Sequence, residues 1–561
     1  MAEPTLQVEV QLGHLCNNRC VFCVSGQLSE QKRAPQLPAE PIRKQIQEAR
    51  ESGATKMTFL GGEPTMQRSF FDLLAFAVEL DFQEIVIFTN GTMTPRASFR
   101  KRALDILAGL GPDMRKRVIW RFSLQGGTRE EHDATTMNPG AWERIVASMD
   151  ELLGTGARLT GNMCVVESNW RSIETLADMA EKYSFENLHL DMMRPRDSGD
   201  RTDAHLRSVM ARYTDMAPKF KALLDRCDAK LGLDFDLNFG NVPYCTAPDV
   251  SHRIHHDGEL TVTVAADGEG GTQLGFNKYE DKRSDKHKPL GCERCVFNAS
   301  CSGVFDKYRE FYGDDEFRPI SVDELWQRDA AGHHFMLLAR PAIEALARSG
   351  AWRITRTNDT TVEIEVAVPV DEAQPDGAQW RVSLRRPGRR GARSGWYSVA
   401  SDRLEAAFFG PNPQNRDNVP RLNDALQRLA MALETKLPEV TADALAQAWQ
   451  RQQQHVALQK NRETQTWRQL AGVVDRLRAE PLAGLKPGAM RKDAEQIAVD
   501  LDFTGAQGTL TLTVRATETP DGRFLPRFQH VAPGVSEATV AQFSQALVRR
   551  LRGQSAASPA A

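Results

Sequence analysis

An α/β fold built on a parallel sheet is predicted for residues 1–230, followed by a small extension at 231–320 and an α+β region at 321–552. Three observations predict it. Strand-like runs alternate with helix-length segments through the first part of the chain. Six of the nine cysteines fall in two tight groups, one at the start of that part and one just beyond its end. After Cys301 there is no cysteine, and the pattern changes to hairpins and helices.

The elements follow in order. Leu6, Val8, Val10 and Leu12 alternate as a strand does and stop just before Cys16. Residues 38–53 read as a helix, and KMTFL (56–60) as a second strand running into Gly61-Gly62-Glu63-Pro64. EIVIFT (84–89) ends in Asn90-Gly91, and VIWRFSL (118–124) runs into Gln125-Gly126-Gly127. LTGNMCVV (159–166) and NLHLDMM (187–193) make a fifth and a sixth strand, with helices near 67–80, 98–110, 140–154 and 170–184 in the gaps. Strands that alternate with helices need crossover connections, and crossovers make a parallel sheet.

Composition narrows the function classes. A chain of 561 residues is too long for a single core. With 71 Lys+Arg against 74 Asp+Glu, the net charge of −3 offers no global footprint for nucleic acid. No run reaches the ~18 apolar residues of a membrane helix. The opening MAEPTLQVEV has neither the basic nor the apolar region of a secretory signal, so a cytoplasmic protein with reduced thiols is expected.

Clustered cysteines in such a protein point to metal. The first group is Cys16-x3-Cys20-x2-Cys23 and the second Cys292-x2-Cys295-x5-Cys301. Soft thiolates select zinc or iron–sulfur clusters over hard cations. Three thiolates can hold three irons of a cubane and leave the fourth without a protein ligand. Zinc would want a fourth ligand, and His14, two residues before Cys16, is poorly spaced to close a tetrahedron.

The run L-C-N-N-R-C-V-F-C, with Phe22 just before the last cysteine, resembles the signature of the radical S-adenosylmethionine (SAM) superfamily. The resemblance covers about residues 1–320. It implies a partial (β/α)6 TIM-like barrel at 1–230, with ligands at the carboxyl ends of the strands. It also implies a [4Fe-4S] cluster on Cys16, Cys20 and Cys23 whose open iron binds SAM. Gly61-Gly62-Glu63-Pro64 resembles the family's GGEP motif, in which backbone and glutamate meet the SAM ammonium group, the glycines letting the backbone come close to a ligand. Asn90, Ser123, Asn162 and Arg194 end or nearly end strands, where similar family positions contact the ribose, carboxylate or adenine. A polar residue at a strand end also serves as a turn or cap former, so both readings stand. Cys164, in an apolar strand, and Cys227, in a helical segment, read as buried packing residues.

The second group resembles the SPASM or twitch extension that carries auxiliary [4Fe-4S] clusters. The resemblance is partial, because Phe305 stands where a further cysteine would follow Cys301. It implies one auxiliary cluster on Cys292, Cys295, Cys301 and Cys245, with Cys227 in reserve for the fourth ligand and a four-thiolate zinc ribbon as the alternative. A hairpin with a DG turn is expected across 255–264, and His252, His255 and His256 read as a solvated loop.

In the region 321–552, strands are expected at 361–369, 380–386 and 395–401 with a helix at 422–434, and the order recurs at 496–503, 509–516, 524–530 and 539–552. Two related hairpin-plus-helix units joined by a polar helix near 441–480 would explain this. Arg385, Arg386, Arg389, Arg390 and Arg393 read as a solvated basic hairpin tip, and 553–561 as a disordered tail.

The family resemblance implies that the reduced cluster cleaves SAM to a 5′-deoxyadenosyl radical that abstracts a substrate hydrogen. An electron donor of flavodoxin or ferredoxin type is implied as a partner. The leading expectation is modification of a peptide or protein side chain, with residues 321–561 choosing the partner. The alternatives are a small metabolite or cofactor precursor as substrate, and a non-catalytic iron–sulfur redox or scaffold protein.

Overall fold

The computed structural model describes residues 7–551 apart from 257–260, 267–271, 349–351, 367–379, 389–394, 411–418, 494–496, 507 and 519–523. It divides into two compact units, Met1–His334 and Phe335–Ala561.

In the first unit, β1 (Gln7–Gln11), β2 (Lys56–Leu60), β3 (Glu84–Thr89), β4 (Val118–Ser123), β5 (Arg158–Val165), β6 (Asn187–Met192), β7 (Asp236–Gly240) and β8 (Ile254–His255) pair in sequence order. Every one of these pairings is parallel. The chain then returns to the first edge, where β9 (Thr261–Ala266) pairs parallel with β1 and β10 (Thr272–Asn277) antiparallel with β9. The end strands β10 and β8 do not pair, so the sheet is a curled half-barrel and not a closed barrel.

Alternation along the strands explains the curl. Val8, Val10, Met57, Phe59, Ile85, Ile87, Trp120, Phe122, Leu188, Leu190, Leu237 and Phe239 are buried on the outward, helix-covered face. Most residues between them are polar: Gln7 and Glu9, Lys56 and Thr58, Arg121, Thr160 and Asn162, His189 and Asp191, Asp236 and Asn238 all border one cavity of about 540 Å³, with Phe88 and Ile119 as apolar exceptions. A strand with one apolar and one polar face suits a half-barrel whose lumen is wet.

Among the described residues, the run of parallel strands paired in sequence order holds two more than the six read from the sequence, and it continues past residue 230. Both additions lack an apolar run: β7 is DLNFG and β8 only two residues long. The hairpin expected near 255–264 is β9–β10, displaced toward the C-terminus, and the Asp257-Gly258 turn lies outside the described residues. A two-stranded hairpin, β11 (Lys286–His287) with β12 (Val304–Phe305), then brackets the second cysteine group.

The second unit contains two antiparallel sheets. β13 (Trp352–Asn358), β14 (Thr361–Val366), β15 (Trp380–Arg385), β16 (Tyr397–Ala400) and β17 (Glu405–Phe409) pair in the order β13-β14-β15-β17-β16, between helices Phe335–Arg348 and Val419–Ala432. β18 (Lys486–Asp493), β19 (Ala498–Gly505), β20 (Gly508–Glu518) and β21 (Phe524–Val531) pair in sequence order between helices Ala442–Arg478 and Glu537–Leu551. The pattern helix, antiparallel sheet, helix thus occurs twice. The 37-residue helix Ala442–Arg478 is buried only near its ends, at Leu445 and Ala448 and again from Leu470 to Leu477. Its polar middle stays exposed, as a helix polar on all sides does when it bridges between cores. Arg385 is not at a loop tip: it lies in β15 and pairs with Glu405 at 2.9 Å. Arg389, Arg390, Arg393 and the 553–561 tail lie outside the described residues. Among the described residues no helix is long and apolar enough to cross a membrane.

Candidate functional site

The loop after β1 carries the first cysteine group and packs directly on the loop after β2. Gly62 N donates to Gly13 O at 2.8 Å and Glu63 N to Leu15 O at 2.7 Å. Gly61 has φ of +124°, and a Cβ there would lie 2.7 Å from Gly13 O; at Gly62 it would lie 2.3 Å from Leu15 O. The two glycines are therefore required by loop-on-loop contact, which is a different reason from the ligand approach read in the sequence. Pro64 opens the short turn Pro64–Met66 that ends the loop.

Glu63 is almost fully buried. One carboxylate oxygen accepts from Thr65 N at 3.2 Å, from the Thr65 hydroxyl and from Thr89 Oγ1 at 2.7 Å, while the other accepts from Asn90 N at 2.6 Å. Burial pushes its pKa up, and the hydrogen bonds from Thr65, Asn90 and Thr89 pull against that shift. Glu63 thus ties the β2 loop to the end of β3. Asn90 continues the tie: its Nδ2 donates to Asn17 Oδ1 at 2.9 Å, and its Oδ1 accepts from Thr92 Oγ1 at 2.8 Å.

The cysteine loop is braced from several elements. Cys16 N donates to Ser29 Oγ at 2.9 Å and Arg19 Nη1 to Cys16 O at 2.8 Å. Arg19 N and Val21 N donate to the carbonyls of Thr136 and Thr135. Asn138 Nδ2 donates to Asn18 Oδ1 at 2.7 Å, Ser198 Oγ to Phe22 O at 2.8 Å and His205 Nε2 to Val21 O at 2.7 Å. The three thiols border one cavity of about 210 Å³ together with Gly61, Gly62, Glu63 and Asn90. Ser123 and Asn162 border it too, and their side chains make no hydrogen bond among the described residues. Both are thus available to a ligand.

Two further residues of this cavity were not singled out as site residues in the sequence. Cys164, read as a packing residue, lines it; Gln125, nearly buried, accepts from Cys164 N through Oε1 at 3.1 Å. Their signal was positional, since both stand at the carboxyl ends of β4 and β5 with the inward period of Ser123 and Asn162. Arg194 does not border either cavity. Its guanidinium is 7% exposed and committed to Asp281 at 2.6 Å and Asp285 at 2.8 Å, so it pins the extension to the barrel. Cys227 is buried in the helix Tyr213–Leu231, as a packing residue is.

Burial governs the thiols. It pushes Cys16 up to about 12, with the Glu63 carboxylate adding to it, and Cys20 well above its usual range. Such thiols stay protonated until a cation takes the charge, and ligation then releases their protons. Asn18 N–H already points at Cys16 Sγ, at 3.4 Å.

The second group is organised by aromatic packing. Phe297 is buried between the cysteines and stacks on Tyr244 with ring centroids 4.4 Å apart and planes 6° from parallel. This stack brings Cys245 into the group: burial pushes its thiol up to about 12, and Cys301, Cys295 and Cys292 all add to the rise. Backbone amides face the sulfurs here as well, Gly303 N at 3.4 Å from Cys301 Sγ and Ile320 N at 3.4 Å from Cys295 Sγ. Hydrogen bonds of this kind favour thiolates and tune clusters. Among the described residues no three His, Cys, Asp or Glu converge as ligands of a single ion. The histidines are not a solvated loop. His256 is buried, stacks on Tyr244 and bonds Val242 O at 2.9 Å, while His255 borders the lumen. His252 alone is at the edge, stacked on His333 at 3.9 Å.

Residues 10–180 match the model of the Radical SAM superfamily, so the half-barrel through β5 carries a radical SAM domain, an enzyme domain. An AdoMet-dependent heme synthase of Methanosarcina barkeri is 26% identical over 189 residues, which cover 34% of this chain and 50% of the relative. The mycofactocin maturase MftC of Mycobacterium tuberculosis is 28% identical over 196 residues, covering 34% of this chain and 45% of the relative. The chain therefore spans half or less of the length of these two relatives. Among solved structures, Streptococcus suis SuiB bound to S-adenosylmethionine aligns with a TM-score of 0.39 at 16% identity, over 56% of this chain and 76% of SuiB.

Proposed function

From the radical SAM domain at residues 10–180 we propose that this chain is a radical SAM enzyme that modifies a peptide or protein side chain. The observation that carries the class is the convergence of Cys16, Cys20 and Cys23 with Gly61, Gly62 and Glu63 on one cavity at the carboxyl ends of the strands. When bound, a reduced [4Fe-4S] cluster with SAM supplies reductive cleavage of SAM to methionine and a 5′-deoxyadenosyl radical that abstracts a substrate hydrogen. The three cysteines would hold that cluster, giving up their protons to do so. Glu63 and the Gly61-Gly62 backbone hold the wall where the SAM amino acid moiety would lie. Ser123 and Asn162 offer an uncommitted hydroxyl and amide to the polar groups of the nucleoside. Cys245, Cys292, Cys295 and Cys301 would hold a second [4Fe-4S] cluster, which makes 231–320 a SPASM/twitch-like domain. The alternative is a four-thiolate zinc ribbon, and the adjoining radical SAM domain supports the cluster over it.

The maturase relative supports the peptide reading. A second reading, a small polar metabolite or cofactor precursor, is supported by the heme synthase relative and by the charged and hydrogen-bonding lining of the lumen. In either case a flavodoxin- or ferredoxin-type protein supplies electrons in the cytoplasm, and residues 321–552 serve as the partner-selecting region.

The test uses the full chain, anaerobically reconstituted, with dithionite and SAM. We expect 5′-deoxyadenosine from the protein and none from the Cys16/Cys20/Cys23→Ala variant; no product from either would leave a non-catalytic iron–sulfur protein. Cell extract should stimulate the reaction, and protease treatment of the extract should abolish the stimulation. Stimulation that survives protease would favour the metabolite.

A further inference from the structure

A chain of hydrogen bonds joins the lumen to the second cysteine loop, and Lys286 stands at its centre. On the lumen side, Asp191 ends β6 beside Cys164 of β5, its register partner. One Asp191 oxygen accepts from Lys282 Nζ at 3.1 Å and the other from Asn241 Nδ2. Asn241 follows β7 with φ of +60°, a left-handed conformation that asparagine tolerates better than most residues. Its Oδ1 in turn accepts from Lys286 Nζ at 2.5 Å.

On the cysteine side, Lys286 Nζ donates to Ser302 Oγ at 3.0 Å, and Ser302 is the residue after Cys301. Ser302 Oγ meets His256 Nδ1 at 2.6 Å, and His256 Nε2 donates to Val242 O at 2.9 Å. The donor directions agree along the whole path: His256 keeps its proton on Nε2, Nδ1 accepts from the serine, and the serine oxygen accepts from the lysine. The backbone fixes the geometry. Lys286 and Phe305 are cross-strand partners in β11–β12, with the amine 4.7 Å from the Phe305 ring centroid. Gly303, with φ of +95°, closes the hairpin where a Cβ would lie 2.3 Å from His287 O.

We propose that Lys286 is a positioning residue for the auxiliary cluster: its charge and its bond to Ser302 set the reduction potential of a cluster on Cys245, Cys292, Cys295 and Cys301, and its bond to Asn241 ties that setting to Asp191 in the lumen. The proposal rests on the auxiliary-cluster reading above. A positive group beside a cluster favours the reduced, more negative form, and hydrogen bonding and charge near the sulfurs are recognised levers on cluster potential. Burial costs the amine some of its charge, lowering its pKa to about 8, while the Asp191 carboxylate supports the charge. The cation is thus held at a half-buried place beside the cysteine loop.

The experiment is an anaerobic redox titration followed by EPR on the reconstituted full chain, Lys286→Met and Lys286→Arg, with iron and sulfide counted on each sample. We expect two cubanes in all three, a downward shift in the midpoint potential of the auxiliary signal in Lys286→Met, recovery toward the native value in Lys286→Arg, and no movement of the signal lost in Cys16/Cys20/Cys23→Ala. Two cubanes with an unmoved auxiliary potential would overturn the role of Lys286 alone. An equal shift of both signals would overturn it too, since a general loosening would then be the cause. One cubane with or without zinc in the native chain would overturn the auxiliary-cluster reading itself.

Discussion

The two cysteine loops reach their shapes by different means. The first, Cys16 to Cys23, is braced from outside: Ser29, Thr135, Thr136, Asn138, Ser198 and His205 all hydrogen-bond to it, and the glycine-bearing loop after β2 lies against it. The second, Cys292 to Cys301, has fewer braces from outside, from Lys288 and Ile320, and is centred on Phe297 and its stack on Tyr244. A loop with many polar braces keeps its form when one is lost, because each neutral hydrogen bond contributes only about 1 kcal/mol net. A loop centred on one aromatic plug has more of its stability concentrated at that plug. Under the proposed function, the braced loop would present an open iron in one fixed orientation, and the second would be closed by its own ligands.

The largest effects should come from the ligands and should separate the loops. Cys16/Cys20/Cys23→Ala should remove about half of the iron and all SAM cleavage while leaving the auxiliary EPR signal, since a cubane accounts for all the iron at each site. Cys245→Ala should do the reverse, removing the auxiliary signal and keeping the other cubane. Iron analysis with EPR decides it: an unchanged auxiliary signal in Cys245→Ala would show that the stack brings Cys245 close without making it a ligand.

Next comes Phe297→Ala. A buried phenylalanine truncated to alanine costs about 3–5 kcal/mol, and the lost stack on Tyr244 adds about 1 kcal/mol. Denaturant unfolding should show that loss, and the auxiliary cluster should be lost from the variant while the first cluster stays assembled. Equal loss of both clusters would mean that the loops share one cooperative unit and the contrast between them fails.

These two loops also show what the sequence can carry. The closeness of the first loop to its glycine-bearing neighbour was legible because the signals are local: the x3 and x2 spacings and the GG pair lie within loops that touch. The second was legible only in its C-x2-C-x5-C core, because the approach of Cys245 depends on a stack formed between Tyr244 and Phe297, distant in the chain. The ion pairs of Arg194 were hidden for a similar reason. Nothing beside it in the sequence announces Asp281 and Asp285, which take up its charge. The lumen had a readable signal that was missed. Glu9, Thr58, Arg121, Thr160, His189 and Asn238 repeat a period-two polar face in strands whose other face is apolar, and in a helix-covered parallel sheet that polar face can only be a lumen. β7 escaped because its five residues carry too few apolar positions to stand out.

Acid should act on the second loop through His256. Burial, with the Lys286 charge adding to it, lowers this imidazole from its usual 6.5 to about 3. A group whose folded pKa lies below its unfolded one contributes stability that is fully present above pH 6.5 and declines as pH falls toward 3, by ~1.4 kcal/mol per unit. His256→Gln, which removes the titration, should flatten the pH dependence of unfolding free energy across that window. A slope equal to the native one would show that the imidazole is solvated after all.

The smallest effect should come from removing a single brace of the first loop. Ser198 donates to Phe22 O at 2.8 Å from the turn Pro195–Ser198, and its side chain is fully buried. Ser198→Ala deletes the donor and leaves the carbonyl of Phe22 without it, for a cost of about 1 kcal/mol. With Asn138, His205 and the Thr135 and Thr136 carbonyls still in place, the three thiols should keep their arrangement. The variant should therefore lose a little stability in denaturant while keeping its full complement of iron and its rate of 5′-deoxyadenosine formation. A drop in cluster content out of proportion to the stability change would show that the first loop hangs on this one contact.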